Sequence, residues 1–240
     1  MKAPVFPGFP REALTFFRGL RRNNNREWFQ QRKEIYETRV KAPMLELVEA
    51  INGELARLAP QYAGDPKKAV YRIYRDTRFS SDKTPYKGHI AAIFPRRGME
   101  KHAGAGLYFS VSDKEVEIAG GVYMPGPEHL LAIRTHLADH HEEFRRMSAQ
   151  RTLTRLMGEL RGEELTRVPK GFSADHPAAD LLRRKQWLYY VSLAPEVAVT
   201  PKLVAEVSGR FRAMLPVVEF LNSPLLARLR RRSLARDLLL

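Results

Sequence analysis

Three stretches of apolar residues at helical spacing occupy the first 60 residues of the chain. They cover residues 10–20, 28–40 and 43–58. The asparagines at 23–25 are typical of a helix end followed by a new N-cap. The proline that opens the third stretch suits a first helical turn. We therefore predict that residues 1–60 are helical.

Strand-like composition replaces the helical spacing in the middle of the chain. Residues 70–75 and 89–94 are rich in β-branched and aromatic side chains. Residues 107–111 and 116–118 alternate large apolar with other side chains on either side of a short turn, which predicts a hairpin with one buried face. The chain is thus expected to be mainly β over residues 70–123.

Helical spacing returns after a Pro-Gly-Pro break. We predict helices within residues 127–160, a short helix near 177–184, a last strand at 187–193 and terminal helices over 201–232. Residues 127–240 are therefore mainly helical with one late strand. The two glycines that end the hairpin are expected to weaken or bulge its second strand.

Runs of strands flanked by runs of helices predict an α+β fold with a mixed or antiparallel sheet rather than a regular series of parallel units. The sequence has no internal repeat and no clear linker. We therefore expect one domain over residues 1–240, a length at which a single core is still feasible.

The composition narrows the chemistry. The chain has no cysteine, which excludes disulfides, thiolate nucleophiles and cysteine-bound metals. Residues 1–8 lack the apolar run of a secretory signal, and no segment approaches 18 uninterrupted apolar residues. We expect a cytoplasmic protein without integral membrane association.

The chain is strongly basic, with a formal net charge of +14. Residues 66–101 hold ten Lys or Arg against three Asp or Glu and so carry half of that charge. A second cluster at 228–236 contains five arginines. Such a charge favours nucleic acid, anionic lipid or phosphorylated small molecules as partners.

The segment 71–88 concentrates cationic, hydroxyl and acidic side chains, with a proline that restricts its backbone. We predict that its loop clamps phosphate or carboxylate oxygens. In an enzyme, Asp76 or Asp82 would be the acid or base, and Lys83 would stabilise developing negative charge. The candidate ligand-binding residues are Arg75, Asp76, Arg78, Ser80, Asp82, Lys83, Tyr86 and Lys87.

A structural interpretation of the same segment is equally open. An Arg- and Asp-rich loop over a sheet often holds itself in place with ion pairs. If residues 70–75 form a strand, Arg72 and Tyr74 lie on one face, and Tyr71, Ile73 and Arg75 lie on the other. Only some of the cations could then converge on one ligand.

Long motifs along the chain resemble an uncharacterised bacterial and fungal family of unknown function, and the resemblance covers at least residues 6–190. The motifs are NNNREWF at 23–29, RDTRFS at 75–80, DKTPYK at 82–87, GAGLY at 104–108, HP at 176–177 and LLRRK at 181–185. The resemblance implies a single folded unit and a soluble setting, and no mechanism.

The sequence gives little support for a metal site, a serine nucleophile or a nucleotide-binding motif. His136 and His140 have the spacing of two metal ligands, but His129 is too distant along the helix, and Glu143 does not by itself complete a site. We expect no metal and no cofactor. The sequence lacks G-x-S-x-G, the P-loop pattern and G-x-G-x-x-G after a strand.

The favoured function is therefore recognition of a phosphate-bearing or other anionic ligand by the 75–87 loop, with or without catalysis. One alternative is a nucleic-acid-binding module that uses the basic clusters at 66–101 and 228–236. Another is a structural or protein-interaction role. The sequence supplies neither the ligand nor the oligomeric state.

Overall fold

The computed structural model describes residues 6–99 and 101–237, with side chains described as far as Leu229. The predicted helical start is confirmed. Its helical elements are α1 (Arg11–Arg22), α2 (Arg26–Gln30), α3 (Lys33–Ile35), a π-helical turn (Tyr36–Lys41), α4 (Ala42–Leu58) and α5 (Pro66–Ala69).

One of the two sequence signals for helix starts acts as expected. Asn25 is the N-cap of α2, and its side-chain oxygen accepts a hydrogen bond of 2.9 Å from the backbone nitrogen of Trp28. Pro43 lies near the start of α4, but Lys41 before it is also helical, so α4 continues directly from the π-helical turn and Pro43 does not begin a separate helix.

An aromatic core holds α1 against α2 and the π-helical turn. The ring centroid of Phe16 lies 6.2 Å from that of Phe29 and 5.8 Å from that of Tyr36. All three side chains are buried, and the ring pairs add to the stabilisation from apolar burial. This packing fixes the positions of the Phe29 and Tyr36 side chains, which both line the cleft of the candidate site.

The sheet is antiparallel and follows sequence order, which confirms the α+β prediction. Its strands are β1 (His89–Pro95), β2 (Gly106–Ser112), β3 (Val116–Val122) and β4 (Trp187–Leu193). The Ser112 nitrogen donates to the Glu115 oxygen at 3.0 Å, so Ser110 lies opposite Glu117 in the hairpin. The side chains of Val116, Ile118 and Val122 in β3 are buried, and the single glutamate of the strand, Glu117, lies on the other face.

The strand predicted at residues 70–75 was wrong. Val70 makes an isolated bridge to Ala92, and Tyr74 makes another to Tyr86. The pairing register shifts by two residues between these two bridges. The segment 86–92 contains two more residues than the segment 70–74 that it faces. The shift interrupts the ladder, so residues 70–75 form an irregular hairpin arm.

The C-terminal half contains α6 (Pro127–Ser148), α7 (Arg151–Met157), α8 (Ala179–Arg183) and α9 (Leu203–Asp237). The predicted helices and last strand are confirmed, although one long helix replaces the expected series at the end. The helix continues past Pro224, which removes the hydrogen bond to the Phe220 carbonyl. The Ser223 hydroxyl donates to that carbonyl at 2.8 Å and replaces the lost bond.

The chain divides into two compact units of interleaved segments. The first contains the described residues up to Phe94, Tyr108–Ile118 and Ser192–Gly209, and the second contains Pro95–Leu107, Ala119–Val191 and the residues from Arg210 onward. The single domain expected from the sequence stays a prediction. Throughout the described ranges, no helix is both long and apolar enough to cross a membrane.

Candidate functional site

The predicted clamp loop lies in the first unit, and its two arginines are engaged within the loop. The guanidinium of Arg75 contacts the Asp82 carboxylate and the Thr84 hydroxyl. Arg78 binds the Asp76 carboxylate through two nitrogens, at 3.0 and 2.8 Å. Such paired contacts order the loop and use up donors that a ligand would need.

The loop lysines are also engaged, and they do not converge with the arginines. The Lys83 ammonium donates to the Thr77 carbonyl oxygen at 2.9 Å. The Lys87 ammonium lies 5.0 Å from the ring centroid of Tyr71, in a cation–π arrangement. Ser80 is 3.5 Å from the nearest Arg75 nitrogen. Each of the six charged side chains among the predicted site residues is therefore engaged by another residue of the protein.

The two loop aspartates are held in their charged form. Hydrogen bonds from Arg78 lower the pKa of Asp76 to about 2. Hydrogen bonds from the Thr84 backbone and from Arg75 lower the pKa of Asp82 to about 2. A carboxylate with such a pKa is a weak proton acceptor near pH 7, which disfavours the acid–base role considered for both.

Tyr86 fastens the end of the loop to the N-terminal helices. The side-chain amide of Asn24 donates to the Tyr86 carbonyl at 2.9 Å and accepts from the Tyr86 nitrogen at 3.1 Å. The Tyr86 ring stacks on Phe29 with centroids 4.1 Å apart. These contacts join the motif at 23–29 to the motif at 82–87, a connection that the linear sequence did not reveal.

A cleft of about 550 Å³ lies beside this loop in the first unit. Its walls are Phe29, Lys33, Tyr36, Glu37, Lys41, Ala42, Leu45, Lys67, Val70, Tyr71, Arg72, Ile73 and Tyr74. Among the residues that the structure describes, none of the eight predicted site residues lines it. Two of them contact residues of the cleft wall: Tyr86 stacks on Phe29, and the Lys87 ammonium lies over the ring of Tyr71.

The cleft walls combine an excess of positive charge with aromatic surface. The walls contain four cationic side chains and one carboxylate, that of Glu37. The Glu37 carboxylate pairs with the Lys41 ammonium at 2.7 Å. Three cations, Lys33, Lys67 and Arg72, have no hydrogen-bonded or ion-paired side-chain partner within the described part of the chain. A concave surface of one charge sign concentrates ions of the opposite sign.

Local backbone irregularities bring these residues together. The π-helical turn contributes Tyr36, Glu37 and Lys41, and turns of this kind are frequent at functional sites. The irregular arm supplies Tyr71, Arg72, Ile73 and Tyr74 in succession. Arg72 and Tyr74 are exposed and Ile73 is buried, which agrees with the alternation predicted for this segment, although all four residues border the cleft.

Burial also perturbs the tyrosines of the cleft. Desolvation, with smaller contributions from Glu37 and Tyr74, raises the pKa of Tyr36 well above its usual value. Desolvation raises the pKa of Tyr71 to about 12. Both phenols therefore stay neutral at physiological pH and can donate hydrogen bonds to an anion.

A second group of polar residues surrounds Glu117 of β3. Burial raises the pKa of Glu117, and the neighbouring Glu115 carboxylate adds to this effect. Burial, with the charge of Lys87, lowers the pKa of His89. Across the described residues, no three His, Asp or Glu side chains are arranged to hold a metal ion.

Replacing Glu117 by glutamine should stabilise the protein at pH 7.5 by a few tenths to about 1 kcal/mol, allowing for solvent screening. The raised pKa means that the ionised carboxylate opposes folding, and this penalty disappears below the ordinary glutamate pKa. The gain should therefore vanish near pH 4, as thermal unfolding at both pH values would reveal. Exposed Glu49→Gln is the control, and equal stability of Glu117→Gln and parent at pH 7.5 would refute the expectation.

The histidines considered as metal ligands lie in the second unit. The rings of His136 and His140 are 4.6 Å apart, and the His136 Nε2 is 2.9 Å from the Ser223 hydroxyl oxygen. A serine nucleophile needs a hydroxyl that donates to the histidine, and here the Phe220 carbonyl, 2.8 Å from the Ser223 hydroxyl, competes for that proton.

The C-terminal arginine cluster falls mostly on residues without described side chains. Arg228 is described, and its guanidinium contacts the Glu128 carboxylate at 2.9 Å. Arg230, Arg231, Arg232 and Arg236 lie outside the described side chains. A nucleic-acid surface built on this cluster therefore stays a prediction.

Comparison with protein families gives a match over most of the chain. The model of a family described as conserved hypothetical protein (DUF2461) matches residues 12–220. The match confirms the resemblance to a family of unknown function and extends further towards the C-terminus. Neither the curated proteins nor the solved structures gave a match.

Proposed function

We propose a binding function for this chain, which belongs to the conserved hypothetical protein family DUF2461: it binds a phosphate-bearing or other anionic small molecule in the cleft. Lys67 and Arg72 are the main anion contacts, and Lys33 assists them. The 75–87 loop supports the cleft and does not itself clamp the ligand. No catalytic step is part of this proposal.

The unpaired positive charge of the cleft is the observation that carries this proposal. Arg75 forms an ion pair with Asp82, and Arg78 forms one with Asp76. Arg72 has no carboxylate at ion-pair distance within the described residues. An anion that contacts Lys67 and Arg72 therefore does not have to displace an ion pair of either side chain. It competes only with the longer-range attraction between Arg72 and the Asp76 carboxylate. The volume falls within the range of small-molecule sites.

A nucleic-acid partner is the second candidate, and one observation favours it. Phe79, at the tip of the loop, is 95% exposed, with the Arg78 guanidinium 5.7 Å from its ring centroid. Exposed aromatic rings beside cations are used for base stacking by proteins that bind single strands. Such a partner would use the loop tip and would not require the cleft.

A thermal-shift screen with inorganic phosphate, sugar phosphates, nucleotides and short oligonucleotides tests the first proposal. A phosphate compound at 100 times its Kd should raise the Tm of the parent by about 5 to 10 °C. Lys67→Ala and Arg72→Ala should remove most of that increase, because each deletes a cation that faces the ligand.

Arg78→Ala and Lys83→Ala are matched controls, since each removes one positive charge from the adjacent loop. They should keep the response of the parent. Loss of the response in the loop variants alone would overturn the cleft proposal and restore the loop clamp. Stabilisation by oligonucleotides alone, falling steeply with salt and lost in Phe79→Ala, would favour the nucleic-acid partner.

A further inference from the structure

Tyr74 is an unusual wall of the cleft because much of its ring is open to solvent. The side chain is 47% exposed, although it carries a large apolar ring. Its inner side is fixed, with ring centroids 5.4 Å from Tyr86 and 6.2 Å from Phe29. The backbone bridge to Tyr86 fixes it further. The exposed part is therefore held in place before any ligand arrives.

The cleft is larger than a simple phosphate requires. A volume of about 550 Å³ corresponds to a ligand with an organic body, and inorganic phosphate would leave most of it filled with water. The remaining walls are apolar or aromatic, among them Leu45, Val70 and Ile73. These side chains offer contact area to a ring system and few hydrogen bonds.

The aromatic and cationic parts of the cleft are adjacent in the chain. Arg72 precedes Tyr74 by two residues on the irregular arm, and Lys67, on α5, lines the same cleft. A ligand that carries a planar ring and a phosphate a few bonds apart can therefore reach both. A rigid ring that stacks on a fixed tyrosine loses little conformational freedom on binding.

We propose, building on the cleft as an anion site, that the ligand is a mononucleotide-like molecule whose base stacks on Tyr74 while its phosphate contacts Lys67 and Arg72. The exposed half of the ring and the two cations act on separate parts of one molecule. Removing either part of the ligand should weaken binding, and each loss should depend on its own set of residues.

Titration calorimetry with adenosine 5′-monophosphate, ribose 5-phosphate, adenosine and inorganic phosphate separates these two parts. The mononucleotide should bind the parent at least about tenfold more tightly than ribose 5-phosphate, which lacks the ring. Tyr74→Leu should lower mononucleotide affinity by about tenfold and leave ribose 5-phosphate affinity unchanged. Tyr74→Phe should retain the affinity of the parent, because the ring remains.

Tyr123→Ala is the matched control, since Tyr123 is another exposed tyrosine, at 59%, and does not line the cleft. It should leave all affinities unchanged. Equal binding of mononucleotide and ribose 5-phosphate, or an unaffected Tyr74→Leu, would overturn the stacking inference and leave the anion site standing. Failure of every phosphate compound to bind the parent would remove the anion site itself, and the inference with it.

Discussion

Gly121→Ala is expected to destabilise the fold by more than about 4 kcal/mol, which is most of the stability of an ordinary domain. Gly121 has a φ of +125°, a conformation that residues with a Cβ rarely adopt. A Cβ at this position would lie 2.0 Å from the carbonyl oxygen of Trp187. That oxygen belongs to the backbone of β4 and cannot move aside cheaply. Urea unfolding of the purified variant would measure the loss.

Gly53→Ala is the control for this prediction. Gly53 lies within α4, and a Cβ there would meet no atom within 4 Å. Alanine is the better helix former, so this variant should be more stable than the parent by about 0.5 to 1 kcal/mol. A Gly121→Ala protein that unfolds at the same urea concentration as the parent would contradict the close approach of the two strands.

Tyr86→Ala is expected to lower the free energy of unfolding by about 3 to 5 kcal/mol. The side chain is 2% exposed, stacks on Phe29 and contacts Tyr74, so its removal leaves a cavity directly behind the cleft. The Asn24 hydrogen bonds involve only the backbone of Tyr86 and survive the change. Chemical denaturation would give the loss of stability, and ligand affinity should fall together with it.

Phe79→Ala is the matched control, because it removes an aromatic ring from the same loop. Phe79 is 95% exposed, so its loss should change stability by less than about 0.5 kcal/mol. A Tyr86→Ala variant no less stable than Phe79→Ala would show that Tyr86 does not hold the cleft wall.

Much of the fold could be predicted from the sequence because the relevant signals are local. Asn25 marked the start of α2, and the alternation on either side of residues 112–114 predicted the β2–β3 hairpin. The irregular pairing of residues 70–75 could not be predicted from the sequence. Their composition is that of a strand, and the shift in register depends on how residues 86–92 pair with them.

The candidate site was predicted only in part. The predicted basic segment 66–101 contains Lys67 and Arg72, but residues 75–87, which follow them, carry more hydrogen-bond donors. The position of acidic residues was a usable signal: Asp76 and Asp82 lie beside the cations that they neutralise, whereas residues 66–75 contain no acid. The number of donors alone favours residues 75–87, whereas the position of their acidic partners favours residues 66–75.

The remaining parts of the site depend on tertiary contacts. Nothing in the sequence links Asn24 to Tyr86, which are 62 residues apart. The same holds for the contribution of Lys33 and Tyr36 to a cleft shared with Tyr71 and Arg72. A helical spacing of four places Lys33, Glu37 and Lys41 on one face, but it does not say which surface that face meets.

The most direct test of the anion-binding cleft compares two double charge reversals by titration calorimetry with adenosine 5′-monophosphate. Lys67→Glu with Arg72→Glu alters the cleft, and Arg78→Glu with Lys83→Glu alters the loop, while both change the net charge of the protein equally. We predict that the cleft variant loses binding by at least about a hundredfold and that the loop variant stays within about threefold of the parent. Equal losses in both variants, or a loss confined to the loop variant, would contradict a ligand site in the cleft.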